Sequence, residues 1–307
     1  MAIQWYPGHM YKAGQEIKKR LPEVDLVIEV LDARIPFSSA NPLLERLGDG
    51  KPCLKILNKA DLADPQLTQQ WQTFLERDQG VKTLAITALQ GDSRQLILQL
   101  AEKLVPAKSE NSKKIQALIM GIPNVGKSTL INLLSGRAIA KTGNEPAITK
   151  MQQRIKVGDR LVLHDTPGML WPNLENPGTG YRLAITGAIK ETAFENIDIA
   201  LYAVSYLRKT YPQALKQRFL LDTLSHDDLL LITAMAAKRG CLQRGGSADF
   251  DRISKLMLTE LRAGKICPVT LETPEMMLEE QAQLVKIRAE KAEKKALRKQ
   301  RRAAKVK

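Results

Sequence analysis

The sequence predicts an α/β fold: a six-stranded, mostly parallel sheet with helices on both faces, then a smaller all-helical part and a basic tail. Three observations carry that expectation. Six short runs rich in branched aliphatic residues alternate with helix-period stretches, the pattern of a doubly wound sheet. One of these runs ends in a glycine loop, Gly121 to Ser128 (GIPNVGKS), that opens a helix. Beyond Gly180 the strand signal vanishes and only helical periodicity remains.

Taken in order, Trp5 to Met10 (WYPGHM) reads as an aromatic, turn-forming segment without an evident core role. Leu26 to Asp32 (LVIEVLD) and Cys53 to Leu57 (CLKIL), the latter followed by Asn58, have the unbroken apolar character of strands covered on both faces. A short helical stretch from Asn41 to Leu47 is expected to join them. Asp64 to Arg77 begins with a helix-starting Asp-Pro and places Leu67, Trp71, Phe74 and Leu75 on one face. A third strand is expected over Thr83 to Thr87, a helix over Ser93 to Leu104, and an exposed linker over the polar Pro106 to Lys114. Ile115 to Ile122 is the strand feeding the glycine loop, and Lys127 to Leu134 the helix leaving it. Arg154 to Val157 and Leu161 to Asp165 flank a Gly158-Asp159 hairpin turn. Leu183 to Thr192, Tyr211 to Thr223, Asp227 to Lys238 and Phe250 to Ala263 read as helices, and Pro274 is placed to start another. The expected division is residues 1–178 for the sheet domain, 179–272 for the helical one and 273–307 for the tail.

Charge is unevenly placed. Of a net +14, the stretch Lys286 to Lys307 carries 11 basic and 2 acidic residues. Such a block repels itself and attracts polyanions. It is either an RNA or ribosome contact or a solvated appendage. Three scattered cysteines, Cys53, Cys241 and Cys267, lack zinc spacing and fit a reducing, cytoplasmic compartment. No apolar run approaches the ~20 residues of a membrane span, so no membrane partner is expected.

The chemistry is concentrated in three motifs. In Gly121 to Ser128 the glycines let backbone N–H groups converge on phosphates at a helix N-terminus, Lys127 bridges the β and γ phosphates, and Ser128 offers a magnesium ligand. Asp165-Thr166-Pro167-Gly168 follows a strand and fits a turn in which Asp165 holds Mg2+ through water and the Gly168 N–H meets the γ phosphate. Between them, Thr149 is the candidate second magnesium ligand, with Thr142 as its rival. Asn58-Lys59-Ala60-Asp61 is a guanine reader: the Asp61 carboxylate accepts from the ring N–H and exocyclic amine of guanine, while Asn58 and the Lys59 stem hold and cover the base. Adenine would leave that carboxylate unpaired, at a cost of roughly 1–3 kcal/mol. This base motif precedes the phosphate loop, the reverse of the usual order, so the motifs are circularly permuted.

Met169 stands where a water-orienting glutamine would be expected, and a thioether cannot orient water. Slow intrinsic hydrolysis follows, with the catalytic group supplied from elsewhere. Asn124, inside the loop, could help coordinate a monovalent cation such as K+ beside the phosphates, or simply shape the loop. His9 could orient or deprotonate water near neutrality, or pack and cap. His164 and His226 read as structural.

The ensemble of NKAD, Thr87-Ala88, GIPNVGKS, Thr149 and DTPG resembles the ribosome biogenesis GTPase A (YlqF-type) family of circularly permuted GTPases. WYPGHM, Asp32-Ala33-Arg34-Ile35-Pro36, Lys238-Arg239-Gly240-Cys241-Leu242 and Gly245-Gly246 extend the likeness over roughly residues 1–270, while Ala147 stands where such proteins usually carry glycine after the proline, and Met151 lies near an expected glycine or serine. The resemblance implies a circularly permuted Ras-like G domain, and a GTPase that binds GTP and GDP, uses Mg2+ and K+, and acts late in large-subunit assembly under stimulation by that subunit. It assigns guanine recognition to Asn58, Lys59, Ala60 and Asp61 with Thr87 and Ala88 beside the base. It gives the phosphates to Asn124, Val125, Gly126, Lys127, Ser128 and Thr129, and the γ phosphate to Gly168. His9 and Lys127 would be catalytic, and the helical domain would contact rRNA. A monomer is expected. The rival readings are an RNA-binding scaffold with GTP as a static ligand, and a GTPase serving the small subunit or a transfer RNA.

Overall fold

The computed structural model describes residues 3, 5–42, 50–87, 93–110, 113–139, 154–172 and 174–304. Along the chain, α1 (Gly8–Arg20) leads to β1 (Leu26–Asp32), β2 (Cys53–Asn58), α2 (Pro65–Leu75), β3 (Val81–Ile86), α3 (Ser93–Leu104), β4 (Ile115–Gly121), α4 (Lys127–Ser135) and the hairpin of β5 (Arg154–Val157) and β6 (Leu161–Asp165). Helices follow: α5 (Pro177–Ile185), α6 (Asn196–Thr210), α7 (Pro212–Phe219), α8 (Asp228–Lys238), α9 (Phe250–Arg262) and α10 (Pro274–Ala304).

The strands form one sheet in the order β3-β2-β1-β4-β6-β5, parallel except for the edge strand β5. Central β1 is buried at every position, which is why its sequence does not alternate. Its one acidic residue before the end, Glu29, is matched by Lys55 at 2.9 Å and by the Asn41 N–H at 3.1 Å. The chain builds outward from β1 to β3 and then returns to place β4 on the other flank of β1. Ligands of such sheets bind in the crevice beyond the carboxyl ends at that reversal, and the turns after β1, β2, β4 and β6 all open there.

Several elements differ from the sequence expectation. The N-terminal segment continues into helix α1, and Met10, Ala13 and Ile17 form its buried stripe, so Met10 does have a core role. The Pro7-Gly8 pair obscured this start, although three apolar residues at helical spacing were present. The third strand begins at Val81, two residues earlier than expected. A helical turn, Pro106–Glu110, occupies part of the expected linker, and another, Pro36–Ser39, follows β1. Helix α5 starts at Pro177, where the Asn176 side chain caps Gly178 N, and stops before Gly187 at φ 80° rather than running to Thr192. The expected stretch from Asn41 to Leu47 lies mostly outside the described residues.

Helix α6 is the axis of the helical part, with α5, α7, α8 and α9 packed around it. After α9 the chain returns to the sheet domain: Val269 N donates to Leu62 O at 2.9 Å, Leu271 N to Arg34 O at 2.8 Å, and Trp71 Nε1 to Glu272 O at 3.0 Å. The Glu272 carboxylate is buried, accepting from Ser38 N at 2.9 Å and Ser38 Oγ at 2.6 Å and lying 3.4 Å from Arg182. Burial pushes its carboxyl above the usual range against the pull of Arg182. Arg182 also binds Glu280, which seats the first turns of α10. Buried apolar residues run without a break from the sheet into the helical part. No described helix is long and apolar enough to cross a membrane.

Candidate nucleotide site

Strand β4 delivers the phosphate loop at close quarters. A side chain at Gly121 would meet Val30 O at 2.7 Å, and one at Gly126, whose φ is 92°, would lie 2.2 Å from the Asn58 amide nitrogen. Both positions therefore require glycine. The base turn braces the loop directly: Asn58 Nδ2 donates to Val125 O at 2.8 Å and Lys59 Nζ to Asn124 O at 2.6 Å. Ser128 and Thr129 stand on the first turn of α4, half-buried.

Asn58 ends β2, and Lys59 turns the chain with φ 60° into the short 3-10 turn Ala60–Leu62. Asp61 is exposed in that turn, one carboxylate oxygen accepting from Thr87 Oγ1 at 3.0 Å. The arrangement presents an acceptor edge with one side already oriented. Ala88 lies outside the described residues.

Lys127 and Asp165 meet in a buried pair between α4 and the end of β6. Burial lowers the affinity of Lys127 for its proton, and Asp165 opposes that shift. The second oxygen of Asp165 is buried without a hydrogen-bond partner. An orphaned hard oxygen on the carboxylate that pairs with Lys127, the residue before Ser128, fits a magnesium ion, which prefers oxygen ligands. Thr149 and its rival Thr142, with Ala147 and Met151, lie outside the described residues.

After Asp165, Thr166 Oγ1 donates to Ile119 O at 2.9 Å, and Gly168 passes so close to the loop that a Cβ there would meet Pro123 Cα at 3.1 Å. Met169 is 3% exposed, its N–H bonded to Gly121 O at 3.1 Å and its carbonyl accepting from Asn41 Nδ2 at 3.1 Å. Its sulfur sits 3.4 Å from where a Cβ of Gly14 on α1 would be. The residue in the glutamine's place is thus a core anchor. His9 lies on the first turn of α1, two positions from the described Tyr11; its side chain is outside the described residues. The histidines His164 and His226 stand apart from the crevice, against Gln116 and Arg20, and against Arg208, respectively.

Asp32, Arg34 and Gly187 have no assigned role in the sequence, and all three touch the site. Asp32 Oδ2 accepts from Lys59 Nζ at 3.0 Å and from Arg34 Nη2 at 2.7 Å. Burial would raise its pKa, but Arg34 and Lys59 together hold the carboxyl far below the usual range. Asn124 Nδ2 donates to Gly187 O, 2.7 Å away. The signal for Asp32 and Arg34 was their place at the end of a buried strand and just past it; Gly187 had none.

The profile of a family described as "50S ribosome-binding GTPase" matches residues 116–233. The chain is similar to the "Ribosome biogenesis GTPase A" of Bacillus pumilus, 44% identical over 282 residues that cover 90% of this chain and 100% of the relative. It is 38% identical over 256 residues to a "Mitochondrial ribosome-associated GTPase 1" of Ictalurus punctatus, covering 78% of this chain and 79% of that one. The solved structure of GNP-bound YlqF from T. maritima superposes with a TM-score of 0.60 at 28% identity, covering 86% of this chain and 99% of that chain.

Proposed function

The chain belongs to the ribosome biogenesis GTPase A family, and from that premise we propose that it acts as a cytoplasmic, monomeric factor late in assembly of the large ribosomal subunit, with the subunit stimulating hydrolysis. Its G domain binds guanine nucleotide and hydrolyses GTP, as the family does. The observation that carries the site reading is the bracing of the base turn on the phosphate loop, through the Asn58–Val125 and Lys59–Asn124 hydrogen bonds between residues 67 and 65 positions apart. In the permuted order these two motifs have no local reason to meet, and a shared ligand gives them one.

Guanine would enter with its ring N–H and amine on Asp61, already oriented by Thr87, and its face under the Lys59 stem. The loop amides from Asn124 to Thr129 would cradle the phosphates. Lys127 would exchange Asp165 for the β and γ phosphates. Ser128 and Asp165, with Thr149, would hold Mg2+, which when bound neutralises charge developing on the phosphate oxygens. The Gly168 N–H would meet the γ phosphate, and Met169 anchors that turn to the core. Because Met169 offers no polar group, the attacking water must be oriented by something else. His9, on the helix packed against Met169, is the candidate within the chain. A potassium ion held with help from Asn124 would add positive charge beside the phosphates.

Turnover should therefore be slow in sodium and faster in potassium at equal ionic strength. Equal rates in the two salts would remove the ion from the reading. His9→Ala should leave GTP affinity within a few fold while lowering subunit-stimulated hydrolysis by about 10², the low end of what a positioned acid–base group contributes. A loss of folding or of nucleotide binding in that variant would make His9 structural instead.

The client is tested by sedimentation with ribosomal subunits. The full chain should travel with the large subunit in a GTP analogue and release in GDP. Travel with the small subunit would change the client, and nucleotide-independent binding would favour a scaffold. Deleting Lys286 to Lys307 should weaken the association and flatten its salt dependence, since each phosphate contact contributes about 0.7–0.9 to the slope of log affinity against log salt. Basal turnover should survive, because the nucleotide motifs all precede Met169.

A further inference from the structure

The hydrogen bonds around the base turn close into a ring that leaves the sheet domain and returns to it. Lys59 Nζ is held by Asp32 Oδ2 at 3.0 Å. Asp32 is in turn gripped by Arg34, through Nε at 2.9 Å and Nη2 at 2.7 Å. The remaining arm of Arg34, Nη1, donates to the carbonyl of Arg262 on α9, 3.2 Å away. The Arg262 guanidinium closes the carboxyl end of α5, with Nε 2.8 Å from Ile185 O and Nη2 3.0 Å from Ala184 O. Two residues on, Gly187 O accepts from Asn124 Nδ2 at 2.7 Å, and Asn124 O accepts from Lys59 Nζ at 2.6 Å. The ring thus contains a residue of the guanine-reading turn, a residue of the phosphate loop and the junction after α5.

Two of its members sit in the left-handed backbone region, Lys59 at φ 60° and Asn124 at φ 58°, and lysine is a residue type that rarely adopts it. Such backbone persists where surrounding contacts over-determine it. Here the contacts that do so for Lys59 run through Asp32 to Arg34, both nearly fully buried, and those for Asn124 run to Gly187. A fixed bidentate fork is suited to this, because it sets direction as well as attraction. Holding the base turn and the phosphate loop in shape and holding the α5 junction in place are therefore the same set of bonds.

We propose that Arg34 and Arg262 are positioning residues that couple guanine-nucleotide binding to docking of the α5 junction, residues 184–188, against the phosphate loop. This rests on the site reading above and adds a route between nucleotide and helical part that bypasses the turn after Gly168. A base lying under Lys59 and phosphates on the loop steady one side of the ring. By reciprocity, whatever pulls the junction away weakens the nucleotide by the same factor. A large RNA surface engaging the helical part would then read out, and act on, the occupancy of the base site.

The test is hydrogen exchange on the full chain with and without GDP and magnesium. The amides of Thr186, Gly187 and Ala188, bonded to Arg182 O, Ala184 O and Leu183 O, report opening of the junction. GDP should slow their exchange by about tenfold, within the range of known coupling factors, while α8, in the same helical part, changes less. In Arg262→Met that selective protection should disappear and GDP should bind about tenfold more weakly; Arg262→Lys should restore part of both. Protection that is absent in the wild type, equal in α8, or retained in a folded Arg262→Met overturns the coupling. If Arg262→Met does not fold, the wild-type exchange pattern still decides. Failure of the wild type to bind GDP at all would instead sink the site reading.

Discussion

Lys127→Ala should have no measurable GTP turnover and should bind GTP at least about 100-fold more weakly. The ammonium is expected to make charge-assisted bonds to both the β and γ phosphates, each about 1.5–3 kcal/mol, and about 1.4 kcal/mol is a factor of ten in affinity. The same change has a second consequence in the nucleotide-free protein. Lys127 and Asp165 are 5% and 1% exposed, so the substitution leaves a buried carboxylate without its cation. Breaking a buried pair from one side costs about 3–5 kcal/mol, and the variant should melt at lower temperature than the wild type. Magnesium alone should recover more of that loss in the variant than in the wild type, because the ion can stand where the ammonium stood. Nucleotide titration, phosphate release and thermal unfolding with and without magnesium measure all three effects. Binding within a few fold of wild type would mean that Lys127 is only the structural partner of Asp165.

Asp61→Asn should exchange the preferred base. Asp61 is exposed and touches Thr87 alone among the hydrogen bonds described for its side chain, so the fold has little at stake. Guanine would present two donors to a group that now carries a donor of its own, leaving a base N–H unpaired at about 1–3 kcal/mol. GTP affinity should fall by roughly 10- to 100-fold at about 1.4 kcal/mol per decade. Xanthosine triphosphate, with a carbonyl in place of the amine, should gain. Competition between the two triphosphates on wild type and variant measures the switch. An unchanged preference would show that the NKAD turn does not read the base.

Much of the sheet was legible because its signals are local. β1, β5 and β6 appear at the expected residues, and β2 and β4 differ by one residue at the end. Continuous branched-aliphatic runs can be buried on both faces only as central strands. Hairpin and loop glycines mark their own turns, as Gly158 and Gly126 do at φ 59° and 92°. Helix ends were less legible, since they depend on what lies beyond the segment. α5 stops where the chain turns at Gly187 to meet Asn124 and Arg262, and helical periodicity alone would carry it on to Thr192.

Fold class, permuted motif order and the choice of guanine are legible in the order of residues alone. Each is read from contiguous stretches whose residue types carry their chemistry wherever the stretches are placed. Which residues hold those stretches in working position emerges from the folded chain. Met10 and Ile17 on α1 became core, Met169 an anchor, Lys127 the partner of Asp165, and Asp32, Arg34 and Arg262 the frame behind Lys59. These partners lie up to 228 positions apart. Their pairing follows from the path of the whole chain and from the requirement that a buried charge or polar group find a partner, and no local pattern records which partner that will be.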